Sequence, residues 1–151
     1  MIVQDQSDVI CFLQDPASHG VAGPVDRIDT HISVVFLAGD RAYKLKRSVL
    51  LPYADFSTLC LRRACCAREV ALNAPGAPGL YLGVRAITRG TDGLLAFDGP
   101  GEVLDWVVAM RRFDQEALFD RMAQAGRLTP AMFDDLAAAI AAFHAAAPLI
   151  V

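Results

Sequence analysis

Positive charge is what this chain has too little of to serve nucleic acid. Fourteen lysines and arginines stand against seventeen aspartates and glutamates, a net charge of -3, so no long-range field draws it onto a polyanion. Its basic residues gather only in small groups, Lys44 with Lys46 and Arg47, and Arg111 with Arg112. Groups of that size suit a few phosphates. The chain also lacks any Cys-x-x-Cys pair. Its cysteines are Cys11, Cys60, Cys65 and Cys66, and the adjacent pair would point about 100° apart on a helix, a poor geometry for sharing a metal ion. They are expected as reduced, buried, small apolar side chains of a cytoplasmic protein. No basic region opens the sequence, where Asp5, Asp8 and Asp15 stand instead, so no signal peptide is expected. The longest apolar stretch, residues 136–151, is mostly alanine and is interrupted by His144 and Pro148. Such a stretch makes a helix and not a membrane span. The expectation is a soluble protein with neither nucleic acid nor membrane as partner.

What is present is an apolar, globular composition. Hydrophobic residues make up 54% of the 151 and charged residues 21%, which argues against disorder and for one domain, or one and a fraction. A short helix is expected from Ser7, as its N-cap, to Leu13. Residues 20–30 read as a loop or a frayed first strand. Residues 31–38 and 41–47 form a hairpin about Gly39-Asp40. Residues 55–58 offer caps for a helix to about Asn73, closed by the proline- and glycine-rich breaker at 74–79. Strands follow at 81–88, 94–97 and 103–112. Helices are then expected over 115–125 and from Pro130, after the cap Thr129, to about Ala147, where Pro148 stops the last one. Strands followed by helices argue for an α+β fold with an antiparallel sheet.

Two segments carry charge where an apolar side chain would be at home. Strand alternation puts Ala42, Lys44 and Lys46 on one face and Tyr43 and Leu45 on the other. The two lysines compete for any phosphate, and small Ala42 leaves room beside them for a flat ring. A solvated sheet face is the plain alternative. Glu69 lies inside its helix with Cys65, Cys66 and Leu72 at helical spacing, and a charge on that stripe calls for a partner. Lys44 is the candidate; an exposed Glu69 paired with Arg68 is the alternative. His19 reads as an exposed loop residue, and Trp106 and Phe97 as core. Arg111 and Arg112 read as hinge and surface groups that pair with Asp114 or Glu116.

Six segments occur in order: Thr30-His31-Ile32-Ser33, Ala42-Tyr43-Lys44-Leu45-Lys46, Asp55-Phe56-Ser57-Thr58, Glu69-Val70-Ala71-Leu72-Asn73, Tyr81-Leu82-Gly83-Val84 and Met110-Arg111-Arg112-Phe113. Together they resemble the N-terminal part of the aminoglycoside phosphotransferase-like family. The branch they are most similar to is that of bacterial proteins in which such a domain precedes a P-loop kinase domain. The resemblance covers about residues 8–147. It implies a protein-kinase-like N-lobe over 1–113 and the start of a helical C-lobe over 114–151. Lys44, two after Ala42 as in Val-Ala-Ile-Lys, would match the phosphate-contacting lysine, with Lys46 as fallback and Glu69 as the helix partner. Thr30, His31 and Ser33 would match the loop over the phosphates, though without the glycine-rich pattern of protein kinases. Met110, Arg111, Arg112 and Phe113 would match the hinge that bonds adenine through its backbone. Phe143-His144 would match a structural aromatic-His pair of the C-lobe.

The sequence departs from that family in one respect that bears on function. Such families place a His-x-Asp segment and a second, metal-binding aspartate after the Phe143-His144 helix, and these 151 residues hold no His-x-Asp triplet. The reading is therefore an incomplete phosphotransferase domain, a nucleotide-binding lobe without its catalytic loop and inactive alone. The family it resembles transfers the ATP γ-phosphate to a small-molecule hydroxyl. Weak ATP binding is expected, and Mg²⁺ binding is not. The alternatives are a non-catalytic nucleotide sensor or protein-interaction module, or a structural α+β domain with no ligand. An exposed apolar face at Leu136, Ile140 and Phe143 would make self-association the remaining partner expectation.

Overall fold

The structure, a computed structural model, describes residues 2–147. Its elements are α1 (Ser7–Gln14), α2 (Pro16–His19), β1 (Asp26–Asp29), β2 (Ser33–Ala38), β3 (Arg41–Lys46), β4 (Leu50–Leu51), β5 (Ala54–Asp55), α3 (Leu59–Asn73), β6 (Tyr81–Arg89), β7 (Leu95–Phe97), β8 (Glu102–Arg111), α4 (Phe119–Gln124) and α5 (Pro130–Ala146), with 3₁₀ turns at Ala74–Gly76 and Gln115–Ala117. The fold class is α+β. One antiparallel sheet of six strands runs in the order β1-β2-β3-β8-β6-β7, beside a small β4-β5 ladder. Among the described residues no helix is long and apolar enough to cross a membrane.

The β2-β3 hairpin follows from alternation and from one glycine. Gly39 has φ 56° in the first of the two loop positions, the place a type II′ turn reserves for glycine. The resulting register sets Ser33 opposite Lys46 and Val35 opposite Lys44. With the register fixed, the two faces of the sheet have different fates. Val34, Phe36, Ala38, Tyr43, Leu45, Ile87, Val107 and Ala109 form the core with Val9 and Leu13 of α1. The opposite face, with Ala42, Lys44, Lys46 and Val108, looks toward α3.

Several local expectations change. Ser7 does not cap α1: Gln6 is the N-cap residue, and the Ser7 amide and hydroxyl both donate to Asp5 Oδ1. Residues 26–29 are a strand with every residue exposed; Asp26, Arg27 and Asp29 charge an edge that would otherwise invite pairing. The short strands β4 and β5 lie between the hairpin and α3. Thr58 caps α3 by accepting the Leu61 amide. Cys11 and Cys60 are exposed, Cys65 is half-buried, and of the four only Cys66 is buried. His19 lies in α2 and not in a loop. Its ring packs 4.9 Å from Tyr43 and 5.6 Å from Phe97, with Nε2 2.8 Å from the Leu13 carbonyl.

Contacts divide the chain into two compact units, Met1–Arg112 and Phe113–Val151. In the second, the expected helix over 115–125 is split: the Asp114 side chain caps a 3₁₀ turn, and α4 follows. Thr129 precedes α5 with Pro130 at its first turn but makes no side-chain cap bond. Leu136, Ile140 and Phe143 are exposed. The expected stop at Pro148 lies outside the described residues.

Candidate functional site

The face of α3 that meets the sheet is built from Arg62, Cys66 and Glu69, spaced i, i+4 and i+7. Such residues lie one above another on a helix. Two of the three are ionic, so the helix docks through paired charges more than through an apolar stripe. Each charge meets its own partner set.

Toward the end of β3, Glu69 takes both lysines. Lys44 Nζ lies 2.9 Å from Glu69 Oε1, and Lys46 Nζ donates to Glu69 Oε2. The side chains are 30% exposed at Lys44, 6% at Lys46 and 12% at Glu69. Burial pushes the Glu69 carboxyl up, but the hydrogen bonds and charges of Lys46 and Lys44 outweigh it and hold the group below its ordinary value. Two ammonium groups on one carboxylate leave an excess of one positive charge beside the sheet. Lys46 Nζ also stands 5.7 Å from the centre of the Phe56 ring, within cation–π reach. Burial raises the Tyr81 phenol; the Glu69 charge adds to this, and Lys46 works against it.

At the other end of the same helix face lies a network that sequence reasoning missed. Arg62 Nε donates to Asp105 Oδ1 at 2.8 Å, and the pair is 0% and 1% exposed. The other guanidinium nitrogens donate to the Phe56 and Ser57 carbonyls and to Gln4 Oε1. Asp105 also accepts from Gln6 Nε2 at 2.7 Å and from the Trp106 amide. Gln6 bonds in turn to the Lys46 carbonyl and accepts the Ser48 amide. A polar hollow lined by Gln4, Asp5, Asp8 and Arg89 opens beside this network, away from Lys44. The signal in the sequence was Asp105, the one charge between Val103 and Met110 of β8.

The remaining predicted site residues are scattered. Thr30 Oγ1 is committed to its own turn, donating to the Ser33 carbonyl and accepting the Ser33 amide. His31 is exposed, 6.4 Å from the Tyr53 ring. Ser33 opens β2, buried, and its Oγ has no hydrogen-bond partner. Met110 and Arg111 end β8, Arg112 follows, and Phe113 begins the second unit. The Arg111 amide donates to the Leu80 carbonyl and the Arg112 amide to the Asp40 carbonyl, each at 2.8 Å. Arg112 pairs with Asp26 at 3.2 Å in place of the expected Asp114 or Glu116; within the second unit the Asp114 carboxylate accepts the Glu116 amide and Glu116 faces Arg127. Trp106 and Phe97 are half-buried, under the guanidinium groups of Arg63 and Arg85 respectively. Among the described residues no group of three or more His, Cys, Asp or Glu side chains is placed to hold a metal ion.

Comparison with known proteins adds relatives without an assigned role. The chain is 35% identical over 120 residues to the uncharacterized protein Rv2004c of Mycobacterium tuberculosis and, to the same degree, to the uncharacterized protein Mb2027c of Mycobacterium bovis. The alignment covers 80% of this chain and 22% of each relative, so the chain spans about a fifth of the length of the curated relatives it matches. No family model matches the chain, and no solved structure does.

Proposed function

We propose that the unit ending at Arg112 is a kinase-like N-lobe of the aminoglycoside phosphotransferase type, and that it binds an adenine nucleotide weakly, mainly through the phosphates. The observation that carries this reading is the ion pair between strand Lys44 and helix Glu69, the arrangement by which kinase-like folds present a lysine to nucleotide phosphates. The phosphate end of ATP fits the residues present. A surplus positive charge stands at a half-buried lysine, and the unpartnered Ser33 Oγ lies in the same sheet register as Lys46. The adenine end fits less well. The amides of Arg111 and Arg112 are already bonded within the unit, and Ala42 is buried. Affinity therefore rests on the phosphates. Without a His-x-Asp segment, the 151 residues supply neither a base for the acceptor hydroxyl nor the aspartate that holds Mg²⁺ in that family, so no phosphoryl transfer is expected from them alone.

Titration of the 151-residue chain with ATP and with adenosine, followed by calorimetry or NMR, tests the reading. ATP should bind with a Kd on the order of 0.1–1 mM, with little change on adding Mg²⁺. Lys44→Ala should weaken ATP more than adenosine. No binding of ATP at millimolar concentration removes the nucleotide reading and leaves a domain held together by these charges for its own sake.

A further inference from the structure

We propose that Lys46 is the standing partner of Glu69, a positioning residue whose presence lets Lys44 leave Glu69 for an oligophosphate ligand. This rests on the nucleotide reading above and assigns the two lysines, which alternation along the strand cannot tell apart, to different tasks.

Three observations separate them. The first is access: Lys44 is 30% exposed and Lys46 only 6%, so an incoming anion meets Lys44. The second is anchorage. The Lys46 carbonyl accepts Gln6 Nε2 at 2.9 Å, and Gln6 is bonded on to Asp105, so Lys46 is tied by its main chain into the buried network. Its ammonium group also faces the Phe56 ring. The third is charge balance. If Lys44 were the only partner of Glu69, its departure would strand a largely buried carboxylate, and stranding a buried charge is strongly unfavourable. With Lys46 on Oε2, Lys44 can turn to a ligand while Glu69 keeps a cation. The second lysine removes most of the penalty that binding would otherwise carry.

Two measurements test this with inorganic tripolyphosphate as the probe. In the first, the side-chain Nζ resonances of ¹⁵N-lysine-labelled wild-type chain are followed during titration. The Lys44 signal should move to saturation while the Lys46 signal stays. The second compares Lys46→Met with Lys46→Met/Glu69→Gln. The single change leaves Lys44 as the sole partner of Glu69 and should weaken tripolyphosphate by about tenfold or more; the double change, which removes the carboxylate charge, should recover affinity to within about threefold of wild type. A lysine that merely stabilised the fold would give no such recovery. If Lys46→Met does not fold, the resonance titration decides alone. A moving Lys46 signal, or a double variant as weak as the single, overturns the division of labour and leaves the nucleotide reading standing. A wild-type chain that binds neither tripolyphosphate nor ATP overturns both.

Discussion

The two ionic clusters on the inner face of α3 are made of like parts and differ in balance and in access. Arg62 and Asp105 are matched one to one, fully buried, and bonded at every guanidinium nitrogen and both carboxylate oxygens. Glu69 is outnumbered by its lysines, and one of them reaches solvent. A matched, sealed cluster has nothing to exchange, so its role is to fix where α3, β8 and the N-terminal segment meet. An unmatched, half-open cluster can trade a partner without leaving a bare charge. The same helix face thus holds a fixed end and a yielding end about two turns apart.

The largest expected effect comes from breaking the fixed end. Arg62→Met keeps much of the side-chain volume but strands Asp105 without its cation. Removing one partner of a buried pair costs about 3–5 kcal/mol, a large share of the stability of a domain this size. Urea unfolding of the two chains reads this directly. A loss under about 1 kcal/mol would mean that Asp105 finds water or another donor, and the cluster would not be the fixed end. Replacing both partners by apolar residues should cost far less than either single change.

An intermediate effect is expected from acid acting on the yielding end. The Glu69 carboxyl is held below its ordinary value of 4.5, so the folded state binds its proton later than the unfolded chain does. Stability from this group is present above 4.5 and is lost as pH falls through the lower folded value. Glu69→Gln lacks the titrating group. The stability difference between wild type and Glu69→Gln should therefore be widest near neutral pH and narrow below 4.5. A difference that widens on acidification reverses the sign and would show that burial, and not the lysines, governs Glu69; a constant difference would show that the two cancel.

Much of this architecture was legible, and what was hidden shares one cause. The hairpin declared itself through alternation about Gly39-Asp40, and α5 through alanine propensity and Pro130. Lys44 and Glu69 stood out as charges in apolar surroundings, and the structure brings them together. Arg62 did not stand out, because an arginine in a helix that also holds Arg63 and Arg68 reads as surface; only the spacing Arg62-Cys66-Glu69 places it inward. β1 reads as either a loop or a frayed strand because all four of its residues are exposed, so it has no buried face to print a period of two. His19 reads as a loop residue because Pro16 and Gly20 bracket it; the aromatic rings that pack against it, Tyr43 and Phe97, lie far along the chain.

The smallest effect is the most local, because Cys66 lies on the helix between the two ends. Its side chain is buried, with Sγ 3.9 Å from the Trp106 carbonyl. Burial pushes the thiol up to about 12; Lys46 pulls it down, while Cys65, Glu69 and Asp105 push it further up. At pH 8 about one molecule in ten thousand would carry the thiolate, the form that reacts. Exposed Cys11 and Cys60 should therefore alkylate quickly, Cys65 more slowly, and Cys66 only through local opening of α3. Mass spectrometry of timed iodoacetamide reactions can follow each site, with fragmentation separating Cys65 from Cys66. If the Arg62 end is the fixed one, Arg62→Met should speed Cys66 labelling strongly and Lys44→Met should leave it near the wild-type rate, since Lys46 still holds Glu69. Cys66 labelling as fast as Cys60 in the native wild type, or equal acceleration by the two variants, would erase the distinction between a fixed and a yielding end.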